Sequence, residues 1–98
     1  MPLIRIVRMT FQPDKVEAFR QNFDANKVHI RASEGCQHLE LWQDLEKPTV
    51  FCTYSIWESE NALNNYRSSA LFERVWAATK AWFSDKPQAF SVQKQESI

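Results

Sequence analysis

The chain is predicted to be an α+β protein whose elements run strand, helix, strand, strand, helix, strand, with the second helix broken in two. Three observations predict this. Residues 3–11, 36–44, 50–57 and 89–93 are strand-like, with apolar and polar side chains alternating at a period of two in the first two and β-branched and aromatic residues in the third. Residues 14–33 and 59–83 repeat their apolar positions at three- and four-residue intervals, the signature of helices. The breaking residues Pro13, Gly35, Pro48 and Pro87 fall between these segments and not inside them.

In the opening strand Leu3, Arg5, Val7, Met9 and Phe11 share one face, and Ile4, Ile6, Arg8 and Thr10 share the other. Both faces carry apolar groups, so both are expected to be covered at least in part. Gln12-Pro13-Asp14 ends the strand, with Pro13 suited to a helix's first turn and Asp14 to its positive end. Val16, Phe19, Phe23 and Ile30 then form the apolar stripe of the first helix, interrupted by Asn26 and Lys27. Gly35, the only glycine, is expected to stop that helix as its C-terminal cap.

The second strand alternates Cys36, His38, Glu40 and Trp42 against Gln37, Leu39, Leu41 and Gln43, and a turn over 45–49 leads to a third strand rich in β-branched and aromatic residues. Ser59 is a candidate N-cap for a short helix through Ala62, Leu63 and Tyr66. A break at Ser68-Ser69 precedes a stronger helix carrying Leu71, Phe72, Val75, Trp76, Thr79, Trp82 and Phe83. Asp85-Lys86-Pro87 ends it, a short strand follows, and the polar tail 94–98 is expected to fray.

This order is the split βαβ pattern of a ferredoxin-like unit: an antiparallel four-stranded sheet with its helices on one face. All of residues 1–98 are expected to form one such domain. Its second sheet face would be open and apolar, and a patch of that size implies a partner. Two copies pressing those faces together would make a dimeric α/β barrel, so a homodimer is expected.

Composition closes several other routes. Twelve basic and twelve acidic side chains cancel without bunching, which leaves no electrostatic case for nucleic acid or an anionic membrane as partner. No stretch approaches the roughly 20 apolar residues of a bilayer span, and the arginine-interrupted N-terminus does not resemble a signal peptide. A soluble, cytoplasmic protein is expected. The two cysteines are expected to be free: a simple hairpin register sets Cys36 opposite a residue near Trp57 and Cys52 opposite Leu41, beyond the roughly 7 Å Cα separation a disulfide tolerates. No His/Cys cluster has metal-ligand spacing, so no metal site is expected.

Four segments carry a likeness to a known family: Ile4-Arg5-Ile6-Val7-Arg8-Met9-Thr10-Phe11, Ser33-Glu34-Gly35-Cys36, Tyr54-Ser55-Ile56-Trp57-Glu58-Ser59-Glu60-Asn61-Ala62-Leu63, and Tyr66-Arg67-Ser68-Ser69-Ala70-Leu71-Phe72. In this order and spacing the chain resembles the antibiotic-biosynthesis-monooxygenase domain family. The resemblance implies a dimeric α/β barrel with a pocket in each subunit between sheet and helices. Catalytic members of the family include cofactor-free oxygenases of aromatic polyketides or quinols and haem-degrading enzymes, and other members are known only as domains. Haem-degrading members place an Asn, a Trp and an iron-ligating His where this chain has Val7, Tyr66 and Trp76. An indole N–H is a donor only and cannot ligate iron, so haem chemistry is disfavoured. Quinol-type members often carry a His near the start of the last helix, where this chain has Leu71 or its neighbours.

The function implied by the resemblance is a cofactor-independent monooxygenase acting on a small aromatic or quinol-like molecule. The alternative is a non-catalytic dimeric barrel that binds a small hydrophobic ligand. Oxygenation without a cofactor asks the protein to bind an activated phenol or enol, manage one proton and exclude water. His38, beside Glu40 and with a reference pKa of about 6.5, is the candidate base, though a histidine on a sheet is more often hydrogen-bonded structure. Tyr66 stands at a family pocket position and is the second catalytic candidate, as a hydroxyl donor or as plain helix edge. Trp57, Trp76 and Phe72 are candidates for an aromatic pocket wall, with packed core as the competing role. Arg5 and Arg8 point to opposite faces, and Arg5 is taken as the pocket candidate. His29, on the polar side of the first helix, is expected to be solvated.

Overall fold

The structure, a computed structural model, describes residues 2–98; Met1 lies outside the described residues. Strand β1 (Leu3–Thr10) is followed by a single 3-10 turn (Pro13–Lys15), helix α1 (Val16–Arg31), strands β2 (Cys36–Gln43) and β3 (Val50–Trp57), helices α2 (Glu60–Arg67) and α3 (Ala70–Lys80), and strand β4 (Gln88–Val92). The strands form one antiparallel sheet in the order β2-β3-β1-β4, the ferredoxin-like arrangement expected from the sequence. Residues 93–98 carry no regular secondary structure.

Local chemistry sets the boundaries. Pro13 enters the first turn, where its missing N–H costs nothing. The Ser59 hydroxyl accepts from the Ala62 N–H at 3.1 Å and caps α2. The Ser69 hydroxyl does the same for α3, accepting from the Phe72 N–H at 3.1 Å and donating to the Tyr66 carbonyl at 2.6 Å. The Ser68-Ser69 pair is therefore a joint between two capped helices. Between β2 and β3 the Asp44 carboxylate accepts from the backbone N–H of Glu46 (3.0 Å) and Lys47 (2.9 Å), closing the turn.

Gly35 acts differently from the expected helix cap. Helix α1 ends at Ala32, whose N–H reaches the Val28 carbonyl, and Gly35 follows three residues later with φ +83°. A Cβ there would stand 2.4 Å from the Ala62 Cβ, so the glycine permits both the left-handed turn and close approach of the β2 start to α2. The Glu58 N–H donates to the Gly35 carbonyl at 2.8 Å, tying the two corners together.

The register of β2 also differs from the simple hairpin. Cys36 pairs with Trp57 as expected, but an irregularity between Cys36 and His38 shifts everything after it by one residue. Cys52 therefore faces Trp42, and Leu41 faces Thr53. The extra residue turns Cys36 toward the helices and His38, Glu40 and Trp42 toward the opposite side, because one added residue exchanges the faces of a strand.

All three helices pack on one sheet face and bury two clusters. Leu3, Cys36, Trp57, Ala62 and Leu63 form one, with Tyr66 against it; Met9, Phe11, Phe19 and Phe51 form the other, with Phe23, Leu41, Trp82 and Phe83 around it. Helices α1 and α3 are joined by polar contacts as well: Arg74 donates to Asn26 Oδ1 at 3.2 Å, and Asn22 to Thr79 Oγ1 at 3.5 Å. Asn26 therefore interrupts the apolar stripe because it faces a polar partner.

The other sheet face is uncovered. Its cross-strand rows read His38, Ile56, Ile4, Val92; then Glu40, Tyr54, Ile6, Phe90; then Trp42, Cys52, Arg8, Gln88. Trp42, Phe90 and Val92 each leave more than two-fifths of their surface exposed there.

Candidate functional site

The helix-facing side of the sheet changes character along its length. Leu3 and Trp57 fill one end, and Met9 and Phe51 the other. The positions between them are small or short: Val7 pairs with Thr53 and Ala89, and Ser55 pairs with Arg5 and Leu39. Short side chains beneath helices held off by large residues at both ends leave a gap. A cavity of about 250 Å³ lies there, bounded below by Arg5, Val7, Thr53 and Ser55 and above by Phe23, Phe72, Val75 and Trp76.

Its wall is a run of aromatic rings. Tyr66 stacks on Trp57 with centroids 5.0 Å apart and planes at 25°. Phe72 meets Tyr66 edge-on at 5.3 Å and lies parallel to Trp76 at 5.9 Å. The Trp57 indole is pinned, since its N–H donates to Ser55 Oγ at 2.9 Å and that hydroxyl in turn donates to the Arg5 carbonyl at 3.4 Å. A flat apolar wall suits an aromatic ring. The volume exceeds the roughly 150 Å³ known to hold benzene, so a ligand of one or two rings fits.

Five of the six expected site residues meet in this cavity: Tyr66, Trp57, Trp76, Phe72 and Arg5. His38 does not. It pairs with Ile56 on the uncovered face, bonded to the Glu40 carboxylate, with nearly half of its side chain exposed. The extra residue at the start of β2 is the reason, since without it His38 would fall opposite Ser55. The Glu40 carboxyl sits below its ordinary pKa because His38 and then the Trp42 indole N–H bond to it. His29 is exposed on α1, as expected. Neither histidine therefore lines the cavity.

Arg67, at the end of α2, lines the cavity and was not anticipated from the sequence. Its position one residue after Tyr66, in the last turn of a helix, reads as a charge favoured by the helix dipole. The Arg5 pKa is lowered first by burial and then by Arg67. The polar side chains at the cavity are thus Arg5, Thr53, Ser55, Tyr66, Arg67 and Thr79, with no carboxylate among them. The Tyr66 hydroxyl is pushed up to about 12 by burial, with a smaller contribution from Cys36, so at neutral pH it is a donor.

Both cysteines are free, and burial raises both thiols above their ordinary pKa. Haem does not fit this set of donors. Val7, Tyr66 and Trp76 all face the cavity, but no imidazole does, and the Tyr66 phenol keeps its proton. Among the described residues no group of three or more His, Cys, Asp or Glu side chains is arranged to hold a metal, and no helix is long and apolar enough to cross a membrane.

A ferredoxin-like sheet carrying an aromatic-walled cavity beneath its helices defines a small α+β domain of one sheet and three helices. The family profile for antibiotic biosynthesis monooxygenases matches residues 2–78, and the chain belongs to that family. The same fold recurs in a conserved protein of Methanosarcina mazei, at TM-score 0.92 and 18% identity over 97% of this chain and 94% of the other. Rv0793 of Mycobacterium tuberculosis gives TM-score 0.90 and 21% identity over 99% and 98% of the two chains. A candidate antibiotic biosynthesis monooxygenase of Nitrosomonas europaea gives 0.88 and 17% over 96% and 99%. No curated protein matches the chain.

Proposed function

We propose that this protein is a cofactor-independent monooxygenase acting on a small aromatic or quinol-like molecule, and that it works as a homodimer. The observation that carries the proposal is the cavity itself: about 250 Å³, walled by Trp57, Tyr66, Phe72 and Trp76, in a chain of the monooxygenase family. Family monooxygenase chemistry at such a site balances without a cofactor. A phenol and dioxygen yield a quinone and water: one oxygen atom becomes the new carbonyl, the other leaves with two substrate hydrogens, and the substrate supplies the electrons. The protein's part is to seat the ring, exclude water and stabilise the developing anion.

In this reading Trp57 and Trp76 hold the ring, the Tyr66 hydroxyl donates to the substrate oxygen, and Arg5 stabilises its negative charge. His38 takes no part in the chemistry. A second copy covers the open face, which carries Ile4, Ile6, Tyr54, Phe90 and Val92 in neighbouring rows.

The experiment is oxygen uptake by the purified protein with naphthohydroquinone, anthrone and simple hydroquinones, with isotopically labelled dioxygen and mass analysis of the product. Uptake above the protein-free rate with one labelled atom in the product supports the proposal. Ligand binding without uptake across the panel refutes it and favours the second reading, a non-catalytic binder. That reading is favoured by one observation: no histidine or carboxylate lines the cavity.

A further inference from the structure

The cavity has an unbalanced charge. Arg5 reaches it from the middle of the sheet and Arg67 from the end of α2, and among the described residues neither makes an ion pair. The ion pairs among the described residues are Lys27–Asp24 and His38–Glu40, both elsewhere. Arg5 keeps one neutral partner, donating to Ser91 Oγ at 3.1 Å, and is half-buried. Arg67 is exposed and has no hydrogen-bond partner among the described residues, so it stands at the mouth.

A guanidinium withdrawn from water without an anion is costly, and two near each other are costlier. Arg5 feels both effects, from burial and from Arg67. Such an arrangement is relieved by a planar oxyanion, which two guanidiniums can grip with charge-assisted hydrogen bonds. The lining holds no carboxylate to pair with a cationic ligand, and the two arginines oppose one. It also offers no base, so a substrate must enter already ionised, or be acidic enough that the two neighbouring positive charges lower its pKa and water takes the proton.

We infer that the cavity selects an acidic aromatic: a one- or two-ring molecule whose carboxylate or phenolate oxygen is held by Arg5 and Arg67 while its ring lies along Trp57, Tyr66, Phe72 and Trp76. This rests on the cavity being the substrate site of the proposed function, and it narrows the substrate to the anionic members of the aromatic class. Arg5 anchors the charge within, and Arg67 draws the anion in and closes over it. Tyr66, protonated at neutral pH, adds a donor to the same oxygen.

The test compares probes of one shape and different charge: naphthoate, neutral naphthalenemethanol and cationic naphthylmethylamine, titrated against the full chain by calorimetry and tryptophan fluorescence. A naphthol bearing electron-withdrawing groups, ionised at neutral pH, repeats the measurement with a phenolate and separates the two oxyanion sources. Naphthoate or the phenolate is expected to bind at least about tenfold more tightly than the alcohol, the scale of a hydrogen bond to a charged group. Arg67→Gln is expected to weaken the anion far more than the alcohol and so remove most of that preference, and Arg5→Gln to do so more completely. Arg67 is exposed, so its variant decides the matter should Arg5→Gln fail to fold. Equal affinity for anion and alcohol overturns the charge selection but leaves an aromatic cavity in place. Failure of every probe to bind overturns this inference and the substrate site together.

Discussion

Tyr66 lies against Trp57 at 5.0 Å between ring centroids, and the Trp57 indole is itself fixed by its hydrogen bond to Ser55. The stack sets the tyrosine ring while its hydroxyl has no hydrogen-bond partner among the described residues. Tyr66→Phe should therefore keep the fold and lose the chemistry. Thermal unfolding should be nearly unchanged, whereas turnover should fall by roughly 10²-fold, the usual cost of a lost proton-handling group. Equal turnover in the two proteins would remove Tyr66 from the mechanism.

The same hydroxyl makes a pH prediction. Its pKa is raised to about 12 from an unfolded value near 10. Below about pH 10 both states keep the proton and stability is unaffected by this group. Between about 10 and about 12 only the unfolded chain releases it, so stability falls as pH rises, by on the order of 2 kcal/mol. Chemical denaturation across that range should show the fall in the native chain and a smaller one in Tyr66→Phe. Identical curves would mean the phenol is not buried.

Gly35→Ala should be among the most damaging single-methyl changes available. It places a Cβ 2.4 Å from Ala62 and forces φ +83° on a residue that resists it. Overpacking and backbone strain together should cost on the order of 2–4 kcal/mol, read from the urea midpoint. A loss under about 0.5 kcal/mol, the range of a neutral surface change, would show that the β2 corner shifts freely.

Much of this was legible in the residues, and the failures have physical causes. Period-two and period-three-to-four patterning located β1, β2 and the helices, because side-chain burial is what those periods encode, whereas β3 was marked by its β-branched and aromatic residues and the exposed β4 only by following the Pro87 break. Ser59 marked its helix start because a hydroxyl cap is a local interaction, whereas Ser69, read only as part of a break, turned out to cap the next helix. The face of His38 was not legible. Alternation from Cys36 assumes an unbroken ladder, and a one-residue irregularity leaves no mark in the composition of Cys36-Gln37-His38. Arg67 was missed since its helix-end position already had an explanation. The cavity did leave a signal: Val7, Thr53, Ser55 and Ala89, all short, lie between Trp57 and Phe51 on one sheet face. Only the pairing of strands brings those four together.

His38→Asn should leave oxygen uptake and ligand affinity unchanged, because His38 lies on the sheet face away from the cavity. A large loss of turnover with intact assembly would return His38 to the reaction.

Phe90→Glu tests the homodimer. Phe90 is 46% exposed in the single chain and sits in the row with Ile6 and Tyr54, so a carboxylate there should cost the chain little and the interface a great deal. Sedimentation at micromolar concentration should give a dimer for the native chain and a monomer for the variant. A native chain that is monomeric would leave the open face without its partner.

Filling the cavity tests the central claim most directly. Val75 lines it from α3 and is half-buried, so Val75→Phe fills part of the cavity while leaving Tyr66 and both arginines in the sequence. Oxygen uptake and product formation would be measured in native and filled proteins, with circular dichroism confirming that both are folded. The account predicts that the filled protein loses aromatic binding and turnover together. A folded Val75→Phe protein that turns over its substrate at the native rate would contradict it, because the reaction would then take place somewhere else.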